Sequence, residues 1–227
     1  MINILSAKDM AIKKFLEFFP RGFIDEKYLS WERNYKWNAH SLWNKSLNKN
    51  LFNDLLSAKK YKEITNQILK IEGKTNLLFS FEKMAIRDAL KSELASKLFS
   101  ESLYHYLYTN DRQQALFNDF IKTIAALPRE QTRVLTWPVV TVFPFIADPK
   151  RYIFLKPKTT KVAAALYQFP FEYISQPNWS TYQSLILFAK QLKSDLSSFK
   201  PKDYIDIQSF IWTLGSDEYN QDVTQLH

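Results

Sequence analysis

The chain has 227 residues, 46% of them hydrophobic, and a formal net charge of +8 from 31 Lys and Arg against 23 Asp and Glu. This is the composition of a soluble globular chain, long enough for one large domain or two small ones. Gly22, Gly73 and Gly215 are isolated, which excludes a glycine-rich phosphate loop and with it a self-contained P-loop or Rossmann enzyme.

No cysteine occurs, so disulfides, thiolate metal sites and cysteine nucleophiles are excluded together, as suits a reducing cytoplasm. His40, His105 and His227 lack metal-ligand spacing, and neither a metal nor a cofactor is expected. The opening Met1–Met10 has no basic, then apolar, leader. A cytoplasmic location is therefore the expectation.

In chain order, Ser6 reads as an N-cap for a helix carrying Ala11, Ile12, Phe15 and Phe19, stopped by Pro20 and Gly22. A second helix is expected from about Ser30 to Leu47. Its apolar stripe is Trp31, Tyr35, Ala39, Leu42 and Trp43, and Glu32 pairs with Lys36. Leu51–Leu56 and Tyr61–Ile71 predict two more helices, the latter ended by Gly73. From Leu77 to Tyr108 the pattern stays helical, in one piece or two, with Phe81, Ala85, Ala89, Leu94, Leu98 and Leu103 inward. Thr109–Asp111 is a stop and a fresh cap for a helix through Phe117, Phe120 and Ile124.

The longest uncharged run spans Val134 to Ala147. As a helix it would reach about 21 Å, short of the roughly 30 Å of a bilayer core, so it predicts a buried helix, kinked or ended at Pro144. Tyr152–Leu155 reads as a short strand or extended backbone. Thr159 or Thr160 is expected to cap the next helix, Asn178 a longer one, and Asp203–Leu214 the last, with a polar, frayed tail beyond. The fold expected is mainly α: a single globular domain over 1–227, of about nine or ten helices, with at most one short strand near 152–155. If a seam divides it, the seam falls near Pro128.

Two sets of residues are candidates for function. Lys150, Arg151, Lys156, Lys158 and Lys161 surround Tyr152 and Phe154. Cations on a held backbone suit phosphates, and aromatic faces suit bases. The other outcome is a solvated basic face above core aromatics. Since Tyr152, Phe154 and Lys156 share one face of an extended strand, the direction of that face decides. The second set is Arg33 with His40, seven positions apart on a helix. It resembles the R-x4–6-H motif of the HEPN ribonucleases, in which such a pair handles the scissile phosphate without metal. The other reading makes His40 a core-edge residue beside Trp37 and Trp43.

The phrases F-P-R-G-F-I-D, E-R-N-Y-K-W-N-A-H, Q-T-R-V-L-T-W-P-V-V-T-V-F, F-L-K-P-K-T-T-K-V-A-A and I-D-I-Q-S-F-I-W resemble a widespread bacterial family that carries no assigned activity. The order of motifs over 134–214 is similar to accessory regions beside McrB-like restriction GTPases, which implies a nucleic-acid or defence setting and transfers no catalytic residue. The reading is thus a non-catalytic module that binds nucleic acid or a protein partner, with no membrane span. The alternatives are a HEPN-like ribonuclease and a structural subunit whose exposed aromatics pack on a partner.

Overall fold

A computed structural model of the chain describes residues 6–109, 113–130 and 132–219. The expected cap at Asn110 and Asp111, and the tail from 220 on, lie outside them. Helix α1 (Ala7–Phe18) opens on a reciprocal box: Ser6 Oγ accepts the Asp9 N–H at 3.1 Å while the Ser6 N–H donates to the Asp9 carboxylate. Asp25 caps the short α2 (Glu26–Tyr28), which continues through a π-turn (Leu29–Arg33) into α3 (Asn34–Ser46). Counting those three as one rod, the described residues form eleven helices and no strand.

The π-turn corrects the expected stripe. Its wider winding shifts the helical register, so Trp31 is 55% exposed while Glu32 and Arg33 turn inward. A similar correction applies to α6 (Ser80–Ala89) and α7 (Glu93–Tyr108). Phe81, Leu94 and Leu98 face outward, and the buried stripes run through Glu82, Ala85 and Ile86, and through Ala95, Phe99 and Leu103.

Helices α4 (Lys49–Ser57), α5 (Tyr61–Glu72) and α8 (Gln113–Ala126) complete the first half. Helix α9 (Trp137–Ala147) lies at the centre, every residue buried, against α3, α5, α6, α7 and α8. Thr136 caps it, and Pro144 neither ends nor splits it. No helix among the described residues is long and apolar enough to cross a membrane.

Tyr152–Leu155 then threads the core without helix or strand, all four residues buried. Its register is pinned by the Leu155 N–H donating to Thr141 Oγ1 at 3.0 Å. Helix α10 (Pro157–Leu166) starts at Pro157 after Lys156, so Thr159 and Thr160 are buried inside it rather than capping it. Asn178 caps α11 (Trp179–Asp195) by accepting the Thr181 N–H at 2.9 Å, as expected from the sequence, and Asp203 caps α12 (Tyr204–Gly215).

Helices α10 and α12 make the most extensive helix–helix contact, and Gly215 permits it. A Cβ there would stand 2.1 Å from the Thr159 carbonyl oxygen. The tail is not frayed at its start: a 3-10 turn (Asp217–Tyr219) packs back, and the buried Tyr219 donates to Glu32 Oε1 at 2.6 Å. Buried apolar side chains from both sides of Pro128 join one core.

Candidate functional site

The basic stretch does not assemble into one surface. Lys150 is exposed, but the Arg151 guanidinium donates to the Leu107 and Thr109 carbonyls at 3.2 and 3.4 Å. Tyr152 is buried and its hydroxyl donates to the Tyr106 carbonyl at 2.7 Å. Lys156 is buried too; its ammonium donates to the Leu77 carbonyl at 3.0 Å, lies 3.6 Å from Glu82 and sits 3.4 Å over the Phe79 ring. Lys158 is exposed and paired with Asp217 at 2.6 Å, and Lys161 lies 4.8 Å over the Tyr173 ring. Of the two outcomes left open by the sequence, Tyr152 and Lys156 take the inward one, and neither offers a nucleic acid a free side chain. The segment is buried on both faces, so strand alternation sorts nothing there.

Arg33 and His40 are likewise occupied. Arg33 binds Asp203 through both terminal nitrogens, at 3.0 and 2.7 Å, and Asp206 at 2.6 Å. Tyr28 donates to the same Asp206 oxygen. Burial opposes the guanidinium's charge, but Asp203 and Asp206 outweigh it and hold the pKa above the ordinary arginine value. His40 donates from Nδ1 to the Ile146 carbonyl at 2.9 Å, a tautomer forced because a carbonyl can only accept, and Nε2 then accepts from Asn44 at 2.9 Å. Trp37 stands between the two, 5.3 Å from the Arg33 guanidinium and 5.1 Å from the His40 ring. Arg33 is buried with both terminal nitrogens bonded to carboxylates, and both His40 ring nitrogens are already used.

A concave, aromatic-walled feature lies where α6, the π-turn, α10 and the end of α12 meet. An outer cavity of about 560 Å³ is walled by Phe79, Phe81, Trp137, Tyr173 and Trp212. An inner one of about 360 Å³ is walled by Trp31, Tyr35, Phe79, Trp212 and Tyr219. Phe79, Lys156, Trp212 and Glu218 belong to both, so the two form one cleft. Phe79 and Phe81 stack at 5.6 Å and are 53% and 49% exposed.

The walls are held from behind. The Phe79 N–H donates to Glu82 Oε2 at 2.9 Å, starting α6. The Trp212 indole N–H donates to Glu218 at 3.2 Å, and that of Trp137 to the Ile174 carbonyl at 2.9 Å. Behind the inner cavity the Lys36 ammonium bonds Glu32 at 2.9 Å and Ser209 at 2.8 Å. Burial disfavours that ammonium, but Glu32 more than compensates and raises its pKa. At Lys156 burial prevails over Glu82 and lowers the pKa.

The charges in the cleft balance. Arg133, Lys156 and Lys158 face Glu82, Asp217 and Glu218 in the outer cavity; Lys36 and Lys156 face Glu32 and Glu218 in the inner one. Such a cleft suits a neutral, largely apolar group. Among the described residues no cluster of three or more His, Asp or Glu is placed to hold a metal ion.

No family model, no curated protein and no solved structure matches this chain. The cleft was not found by sequence reasoning, which placed Trp31 and Phe81 in the core.

Proposed function

We propose that the chain is a non-catalytic binding module of a larger assembly, engaging a protein partner through the aromatic cleft. The observation that carries this reading is the gathering of half-exposed Trp31, Phe79 and Phe81 around a concave, charge-balanced site. Aromatic side chains at a pocket supply most binding energy in protein interfaces, and exposed apolar clusters mark contact surfaces. The motif order over 134–214 adds a defence setting, and a cytoplasmic location fits both. The test is selection from a displayed peptide library. Peptides are expected that bind the wild type and weaken about tenfold or more against Phe79→Ser with Phe81→Ser. A library yielding no binder sensitive to those two changes overturns the reading.

A second reading keeps nucleic acid as the partner, favoured by exposed Lys158 and Lys161 on one helix with Tyr173 beneath Lys161. It requires affinity for oligonucleotides that falls steeply with salt and drops when Lys150, Lys158 and Lys161 become Ala. The same peptide-binding protein failing to bind any oligonucleotide at low salt removes this reading. The Arg33 and His40 ribonuclease reading has no such support, since both side chains are committed within the fold.

A further inference from the structure

The two cavities are lined by four acids and four bases, and three pairs account for most of them. Lys36 holds Glu32 at 2.9 Å, Lys156 lies 3.6 Å from Glu82, and Lys158 meets Asp217 at 2.6 Å. Arg133 and Glu218 remain. Both are exposed, and neither makes an ion pair among the described residues.

These two leftover charges stand at different places in the cleft. Glu218 lines both cavities and Arg133 the outer one alone, so the carboxylate sits where the cavities join and the guanidinium toward the outer end. The Glu218 carboxylate is turned to the cleft: its Oε2 accepts from the Trp212 indole at 3.2 Å. Tyr35 and Tyr219 on the inner wall are raised above the ordinary tyrosine value chiefly by burial, with the Glu32 and Glu218 charges adding to the rise. Phe79, Phe81 and Trp137 add bare ring faces to the outer wall, since the Trp137 indole N–H is spent on the Ile174 carbonyl.

Whatever covers the half-exposed Phe79 and Phe81 also takes water from these two charges. A charge covered without a counterpart weakens a complex strongly, so the occupant has to bring the opposite charges with it. Resting on the partner-binding reading above, we infer that the cleft receives a segment of the partner with an apolar middle flanked by one basic and one acidic residue, the base bonded to Glu218 and the acid to Arg133. The middle covers Phe79 and Phe81. Arginine fits the basic place better than lysine, because its planar guanidinium forks a carboxylate and stacks on an aromatic face, here that of Trp212 beside Glu218. Such a segment is net neutral, in keeping with the balanced charge of the cleft, and differs from a polyanion in needing a cation of its own.

The displayed library tests the charges separately from the rings. Peptides that bind the wild type and weaken against Phe79→Ser with Phe81→Ser are expected to share a base and an acid at constant spacing. In a synthetic copy of one such peptide, replacing the base by citrulline or norleucine, or the acid by its amide, is expected to weaken binding to the wild type about tenfold by titration calorimetry. Glu218→Gln, which keeps an acceptor for the Trp212 indole, should erase the effect of the base alone, and Arg133→Gln that of the acid alone. Glu218→Lys should regain affinity when the base of the peptide is exchanged for Glu. Ring-dependent peptides without shared charges, or with charges that are neutralised at no loss, overturn the inference and leave the partner-binding reading standing. An effect of Glu218→Gln that is equal for base and acid overturns it too. A library without ring-dependent binders removes both readings, and tighter binding of an oligonucleotide than of any peptide puts a polyanion on the cleft and overturns the inference as well.

Discussion

Arg33 holds Asp203 by two parallel hydrogen bonds, NH1 to Oδ1 at 3.0 Å and NH2 to Oδ2 at 2.7 Å, across 170 positions of sequence. This bidentate pair, extended to Asp206, fastens the α2–α3 rod to the start of α12. It is buried, so removing one partner strands charge away from water. Arg33→Met is expected to cost about 3–5 kcal/mol, measured by urea unfolding. Adding Asp203→Asn and Asp206→Asn to Arg33→Met should recover much of that loss, because Asn removes the stranded charge yet keeps the cap of α12 and an acceptor for Tyr28. Equal instability of the single and triple variants would refute the electrostatic account.

Gly215→Ala should be among the most damaging single-methyl changes in the chain. The added Cβ would meet backbone, the Thr159 carbonyl oxygen at 2.1 Å, and backbone cannot rotate away. Overpacking typically costs about 1–3 kcal/mol, occasionally more, and this site belongs at the upper end. Thermal unfolding checks it against Gly73→Ala, whose nearest contact is 3.1 Å and whose cost is expected to be smaller. The outer cavity should distort with it, because Gly215 lines that cavity.

Alkaline pH should unfold the protein through its tyrosines. Burial raises Tyr28, Tyr106, Tyr152 and Tyr182 above the ordinary 10.0. The native state thus keeps protons that the unfolded chain has given up, and the stabilisation is complete below pH about 10 and lost as pH rises beyond it. Lys156 acts oppositely: its lowered value makes the fold gain as pH rises toward 10.5, but one lysine opposes four tyrosines. Tyrosinate absorbance should rise in two steps, exposed rings first and the buried ones only with loss of helical circular dichroism. A single step near the ordinary value with the fold intact would contradict this.

Lys156 and Glu82 should prove coupled. Lys156→Met leaves the Glu82 carboxylate buried with only the Phe79 N–H, and is expected to cost about 1–3 kcal/mol. With Glu82→Gln added, the total should fall short of the sum by about 0.5–3 kcal/mol in a double-mutant cycle. Additive losses would mean that the 3.6 Å pair contributes nothing.

Much of the helical plan was legible because caps and stripes are local. Ser6, Asn178 and the run from Val134 to Ala147 are correctly placed by chemistry within a few residues of each. The site was not legible, for two physical reasons. A π-turn leaves no compositional mark, so the register slip that exposes Trp31 is invisible in the sequence. Burial of Lys156 depends on Glu82 and Leu77, which lie more than seventy positions away. A lysine in a basic run reads as solvated until its distant carboxylate is placed.

Helix α9 carries a consequence for how the chain is made. The five helices packed around it all precede it in sequence, so on the ribosome they emerge as a shell without its filling. Until Phe143 leaves the exit tunnel, Phe99 lacks the α9 ring it packs against at 5.5 Å. Vectorial synthesis therefore delivers the keystone last to the half that needs it, and a chain cut at Pro128 is an open shell rather than a smaller protein.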